Sequence, residues 1–155
     1  MDDFSQCMVS NTRMAARAMT RRYDAYLRPF GVTATQFSLL GGLSQMPGAT
    51  VSEIADERGF DRTTLTRNLD RLEEMGLVER RPHATDRRIR LLRLTEAAHP
   101  KLADIFAVGA VTRGEAVEGV SEADRDRLFD ILLSMKANLI AKSSAPVGDR
   151  SASHG

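Results

Sequence analysis

The stretch DRTTLTRNLDRLEEMGLVERRPHATDRRIRLLRLT, residues 61–95, changes its hydrophobic period halfway along. In the first half Leu65, Leu69 and Leu72 recur at spacings of four and three, so a helix here turns one apolar stripe toward a core. At about 100° per residue the opposite stripe carries Thr63 and Arg67, with Thr64, Thr66 and Arg71 on its flanks and Arg62 at its start. Asp61 stands where an N-cap accepts from first-turn N–H groups, and Gly76 where a residue of positive φ ends a helix. The second half reads as two short strands, Val78–Arg81 and Ile89–Leu94, joined by a loop of turn formers and arginine, Pro82–Arg88. From Arg80 to Arg93 six arginines meet one acid, Asp86, a local balance of +5 in a chain of formal net charge +1. Hydroxyls and guanidiniums on a free helix face, followed by an arginine-tipped hairpin, suit a reader of duplex nucleic acid. The helix would enter the major groove and the tip would lie near a minor groove.

Upstream, Thr33 to Gln36 (TATQ) forms a capping-box pattern before Phe37, Leu39, Leu40 and Leu43, which predicts a helix from Ala34 to Gln45. After the turn Pro47-Gly48, a second capping box, Thr50 to Glu53, opens a short helix with Val51, Ile54 and Ala55 inward, ending near Arg58-Gly59. Two short helices around a glycine-containing turn make a helix-turn-helix, and the hairpin makes it a winged one. Residues 10–30 are rich in Ala, Met and Arg and predict a helix stopped by Pro29 and Gly31. Such a helix spans roughly 30 Å, more than a small winged domain covers, so part of it is expected to lie on another chain. Downstream, Thr95 is expected to cap a helix from Glu96 to Val117 carrying Leu102, Ile105, Phe106 and Val108. Pro100 should move its start or kink it, and Gly109, Gly114 and Gly119 should weaken it. Ser121 caps a last helix with Leu128, Ile131, Leu132, Met135 and Leu139 on one stripe.

The fold class is therefore mainly α with a small β-hairpin wing (α+β), a winged helix-turn-helix with N- and C-terminal dimerisation helices. Residues 1–30 and 96–142 are expected to form the helical dimerisation region and 33–95 the DNA-binding region, with 143–155, small and polar, expected as a disordered tail.

At 155 residues and 42% hydrophobic content the chain has enough apolar material for one core. The balance of 22 Lys+Arg against 21 Asp+Glu does not oppose DNA binding, because affinity depends on the basic groups that reach phosphates. A lone cysteine, Cys7, leaves no intrachain disulfide. No apolar run suits a bilayer, so no membrane partner is expected. Asp2 and Asp3 replace the basic start of a signal peptide, and a cytoplasmic location follows as the expectation. His83, His99 and His154 share no metal-ligand spacing, and no nucleophile–base pair, phosphate-cradling loop or paired catalytic carboxylates emerge. No metal, cofactor or enzymatic activity is expected.

The order of helices, with Val51-Ser-Glu-Ile-Ala55, then DRTTLTRNLDRLEEMGLVER and DRRIRLLRLT, resembles the MarR family of bacterial transcription regulators over about residues 10–140. The resemblance implies a homodimer whose terminal helices interlock and whose two winged lobes bind a pseudo-palindromic double-stranded DNA operator. It also implies repression relieved by a small-molecule effector or an oxidant. Thr63, Thr64, Thr66 and Arg67 are similar to the family's DNA-contacting face, Arg88 to the wing arginine that enters the minor groove, and Asp86 to the acid that holds that arginine. Arg62, Arg71, Arg87 and Arg90 complete the candidate DNA-binding set. Met14, Met19, Tyr23 and Phe37 are candidates for an effector pocket, which an aromatic effector would fit. Members that sense organic hydroperoxides resemble the chain in its first helix. Aligning Ala16–Thr20 and Tyr23 puts their reactive cysteine at Val9, two residues after Cys7. An inert Cys7 is thus the first reading and a thiol-based oxidant switch the second; a winged protein-interaction module that does not bind DNA is the other rival.

Overall fold

A computed structural model of the chain describes residues 7–143. Among them are six α-helices and one hairpin: α1 Met8–Leu27, α2 Ala34–Gln45, α3 Val51–Arg58, α4 Arg62–Glu74, β1 Val78–Pro82, β2 Arg90–Leu94, α5 His99–Ala116 and α6 Glu122–Ser143. The chain divides into two compact units, the first ending at Ala116 and the second beginning at Val117.

Both capping boxes form. Thr33 Oγ1 accepts from the Gln36 N–H at 3.2 Å while Gln36 Oε1 accepts from the Thr33 N–H at 3.0 Å. Thr50 and Glu53 repeat the exchange at 3.2 and 2.7 Å. The Thr50 backbone bond first, and its hydroxyl second, hold the Glu53 carboxyl below the usual carboxylate range. Asp61 caps α4 by accepting from the Thr64 N–H at 2.8 Å. The other end closes through Gly76 N–H to Glu73 O and Leu77 N–H to Leu72 O, both 2.9 Å, with Gly76 at φ 68°. Between these ends Leu65, Leu69 and Leu72 are all 0% exposed. They meet Leu39, Leu40 and Leu43 of α2, Ile54 of α3, Leu92 of β2 and Ile105 of α5 in one core.

The strands pair antiparallel from Val78↔Leu94 to Pro82↔Arg90. Pro82 extends β1, an edge strand where a residue without an N–H is tolerated. Ile89 drops out of β2 because its N–H turns back to Asp86 O at 3.1 Å. The α2–α3 turn adds a minimal third strand, with Leu92 N–H donating to Ala49 O at 2.8 Å and Gly48 N–H to Leu92 O at 3.0 Å. The wing is thereby tied to the helix-turn-helix by main chain.

Three expectations change downstream. Thr95 does not cap a helix with its side chain; its hydroxyl donates to Gly76 O at 2.6 Å and its N–H to Leu77 O at 3.1 Å, joining the ends of β2 and α4. A 3-10 turn, Glu96–Ala98, precedes α5, which starts at His99. Pro100 falls in the first turn, where its missing N–H costs no helical bond. Gly109 is a packing residue: a Cβ there would lie 2.6 Å from Phe37 Cζ, so glycine lets α5 approach α2. The Phe37 ring sits 5.0 Å from Tyr23 and edge-on to Phe106 at 6.1 Å, joining α1, α2 and α5.

Of the residues in α1 only Leu27 is buried, while Met8, Val9, Met14 and Met19 are exposed. A clasp fixes α1 to α5: Arg22 donates to both Glu115 oxygens at 2.7 Å, and the Tyr26 hydroxyl donates to Glu115 Oε1. Arg22 first and Tyr26 second lower the Glu115 pKa to about 2. In the second unit, Ser121 Oγ accepts from the Asp124 N–H at 3.1 Å and starts α6, whose Leu128, Ile131, Leu132, Leu133 and Leu139 are exposed. No helix among the described residues is long and apolar enough to cross a membrane. His154 and the tail after Ser143 lie outside the described residues.

Candidate nucleic-acid interface

Because the leucine stripe of α4 is turned inward, Arg62, Thr63, Thr66, Arg67 and Arg71 are exposed on its other side. Thr64 is half-buried and committed to the helix start. Its N–H is taken by Asp61 and its carbonyl by Asn68 Nδ2 at 2.8 Å. The Thr64 hydroxyl, then its N–H, hold Asp61 below the usual carboxylate range. Arg71, nearer the C-terminus, pairs with Glu74 at 2.9 Å. The cations and hydroxyls left open are thus Arg62, Thr63, Thr66 and Arg67, on the N-terminal half of α4, where the helix dipole also favours anions.

On the wing, Arg87, Arg88 and Arg90 are exposed, and no ion pair among the described residues engages them. The expected contact between Asp86 and the wing guanidinium is not formed. Asp86 Oδ1 accepts from the backbone N–H of Arg88 at 2.9 Å, so the acid shapes the tip through the main chain, as an Asx turn does. Arg88 is thereby placed by its backbone.

The local surplus of charge is smaller than the window from Arg80 suggests, because three acids upstream of it, Asp70, Glu73 and Glu79, pair with its first two arginines. Arg81 pairs with Glu79 at 2.8 Å. Arg80, with its side chain 25% exposed, pairs with Asp70 at 2.6 Å and with Glu73, both on α4. Arg80 is a strut between α4 and the wing, and sequence reading missed it. The available clue was that Asp70 and Glu73 share one face of the helix, three residues apart.

A groove of about 430 Å³ lies between α1, α2 and α3, with Met19, Tyr23, Phe37, Ser38, Gln45 and Arg58 in its walls. Three of the four candidate effector residues therefore meet there. Met14 does not; it is 54% exposed and its sulfur accepts from the Ser10 hydroxyl at 3.9 Å. Burial pushes the Tyr23 phenol up, against a smaller opposing effect of Arg113. Arg58 was not read from the sequence, because it sits on α3 and enters the groove across α2. Cys7 is half-buried before α1, its carbonyl accepting from Asn11 N–H at 3.0 Å and Asn11 Nδ2 at 3.1 Å. Among the described residues no group of three or more His, Cys, Asp or Glu could hold a metal ion.

The sequence model of the MarR family matches residues 30–89, from the end of the α1–α2 turn to the wing tip. An E. coli MarR variant solved in complex with operator DNA is 27% identical, with a TM-score of 0.75 over 87% of this chain and 99% of that one. The transcriptional regulator SlyA is also 27% identical, with a TM-score of 0.78 over 85% of this chain and 93% of that one. A MarR-family regulator from Rhodococcus sp. RHA1, 22% identical, shares the fold at a TM-score of 0.80 over 88% and 98% of the two chains.

Proposed function

We propose that the chain, similar to the MarR family of winged helix-turn-helix transcription regulators, is a homodimeric repressor of the bacterial cytoplasm, released from a pseudo-palindromic operator by a small-molecule effector. One observation carries the DNA-reading part: Arg62, Thr63, Thr66 and Arg67 stand exposed on α4, and the wing arginines Arg87, Arg88 and Arg90 are exposed with no ion pair among the described residues. Guanidiniums on α4 read base edges or phosphates, and Arg88 enters a narrow, electronegative minor groove. The relative solved with operator DNA supports the same use of this fold. Two copies related by a two-fold axis would place half-sites ~10 bp apart between centres.

The dimer reading rests on apolar side chains that are exposed among the described residues, notably Met8 and Val9 on α1 and Leu133 on α6. The effector reading rests on the groove between α1, α2 and α3, whose Tyr23 and Phe37 rings suit an aromatic ligand. Fluorescence anisotropy with a selected duplex, titrated against salt, tests the central claim. Arg88→Ala should weaken binding and lower the salt slope by about 1. No preference over random competitor, or a salt-independent affinity, would overturn the reading.

A further inference from the structure

Helix α1 carries Arg13, Arg17 and Arg21 at successive spacings of four, and α6 carries Glu122, Asp126 and Asp130 at the same spacing. Four residues advance a helix by about 6 Å and turn only about 40° past a full circle, so each set draws one stripe roughly 12 Å long. All six side chains are exposed, and no ion pair among the described residues engages any of them. The arginine stripe lies opposite Tyr23 and Tyr26, the side by which α1 meets α2 and α5. Asp24, the acid of α1, is committed to the Ala34 N–H at 2.7 Å. On α6 the helix dipole accounts for Glu122 in the first turn, but Asp126 and Asp130 lie beyond it. The bases Arg125, Arg127 and Lys136 stand about 80° or more from the centre of the acidic stripe.

Like stripes cannot face each other: α1 against a second α1 sets guanidiniums on guanidiniums, and α6 against a second α6 sets carboxylates on carboxylates. Helix α1 against α6 of a second copy matches opposite charges at equal spacing, and a two-fold axis makes that contact twice. Met14, three residues before Arg17, and Phe129, three after Asp126, are exposed and add apolar area beside the charges. We propose that the arginine stripe of α1 pairs with the acidic stripe of α6 on a second copy of this chain, and that this match selects self over other chains of the same architecture. The inference deepens the homodimer of the proposed function and rests on it. Its effect lies in discrimination, because exposed pairs attract weakly whereas like charges held in register reject the wrong partner.

Mixing charge-reversed full-length chains tests the match. One chain carries Arg13→Glu, Arg17→Glu and Arg21→Glu; a second carries Glu122→Lys, Asp126→Lys and Asp130→Lys; a third carries all six. Either of the first two alone should dimerise roughly tenfold more weakly by sedimentation, and mixing them should restore the dimer. The third should pair with itself, yet form roughly tenfold less heterodimer with the wild type than random assortment gives, read by native mass spectrometry. Screening in about 1 M salt should erase that preference. Arg17→Glu and Asp126→Lys alone, at the stripe centres, meet whichever way the helices run and repeat the mixing with less risk to folding. Random assortment of the third chain with the wild type, or reversed chains that dimerise as the wild type does, would overturn the proposal and leave the homodimer standing. A wild type that is itself monomeric would remove both. Unchanged dimerisation with a reduced operator salt slope in the first chain would assign the arginines to nucleic acid and overturn the proposal as well.

Discussion

The segment from Ala34 to Leu94 and the helix before it treat their apolar side chains in opposite ways. Within the segment, Leu39, Leu40, Leu43, Ile54, Leu65, Leu69, Leu72 and Leu92 close on one another and are almost completely buried. Helix α1, at 20 residues the longest of the first unit, buries Leu27 alone and leaves methionines in solvent. The winged segment therefore closes its core on itself, whereas α1 leaves apolar side chains exposed among the described residues. A DNA reader needs its contacts held at a fixed spacing, which the closed core provides; the homodimer proposed above needs surface left over, which α1 offers.

The contrast breaks most visibly at Leu69. Leu69→Ala, at a site with 0% exposure, should cost about 2–5 kcal/mol in chemical denaturation. Leu133→Asp on the exposed face of α6 should keep the helical signal and shift light-scattering mass toward the monomer. Equal loss of helical signal in the two variants would remove the distinction. A smaller effect is expected at Arg80, within the winged segment. Arg80→Ala should lower operator affinity roughly tenfold with an unchanged salt slope, because its guanidinium faces Asp70 and Glu73, and Arg80→Lys should restore part of it. A slope reduced by about 1 would put Arg80 on phosphate instead.

The smallest effect tests the joint between α1 and α5. The Glu115 pKa is held at about 2, below its ordinary 4.5, so an unfolded chain binds more protons between these values. The clasp thus contributes stability above pH 4.5 that is lost as pH falls toward 2. Glu115→Gln should flatten that part of the stability–pH curve; an unaltered curve would show that the clasp does not contribute.

The two capping boxes, the Asp61 cap, the leucine stripe of α4 and the Gly76 stop were legible because each depends on residues within a turn or two of one another. The wing was legible to within one residue at its inner strand ends for the same reason. Asp86 was misread in its contact, although its neighbourhood with Arg88 was right: at two residues' separation a carboxylate reaches the backbone N–H more readily than the end of a flexible arginine. Gly109 looked like a weak point of a helix, since nothing in sequence reveals Phe37 arriving 72 residues away in the chain. Of the candidate effector residues, Met19, Tyr23 and Phe37 converge and Met14 does not, a distinction set by the path of α2 beside α1.

What the residues dictated unaided was every element whose hydrogen bonds and apolar spacing are local: four capped helices, a hairpin, and a free face of threonine and arginine on α4. Tertiary structure alone decided which arginines remain available and which are engaged. Arg80 is claimed by acids on another element, Arg58 is carried across Gly42 into a groove, and Arg88 is left open, because charge pairing depends on distance in space and the chain brings those partners together only when it folds.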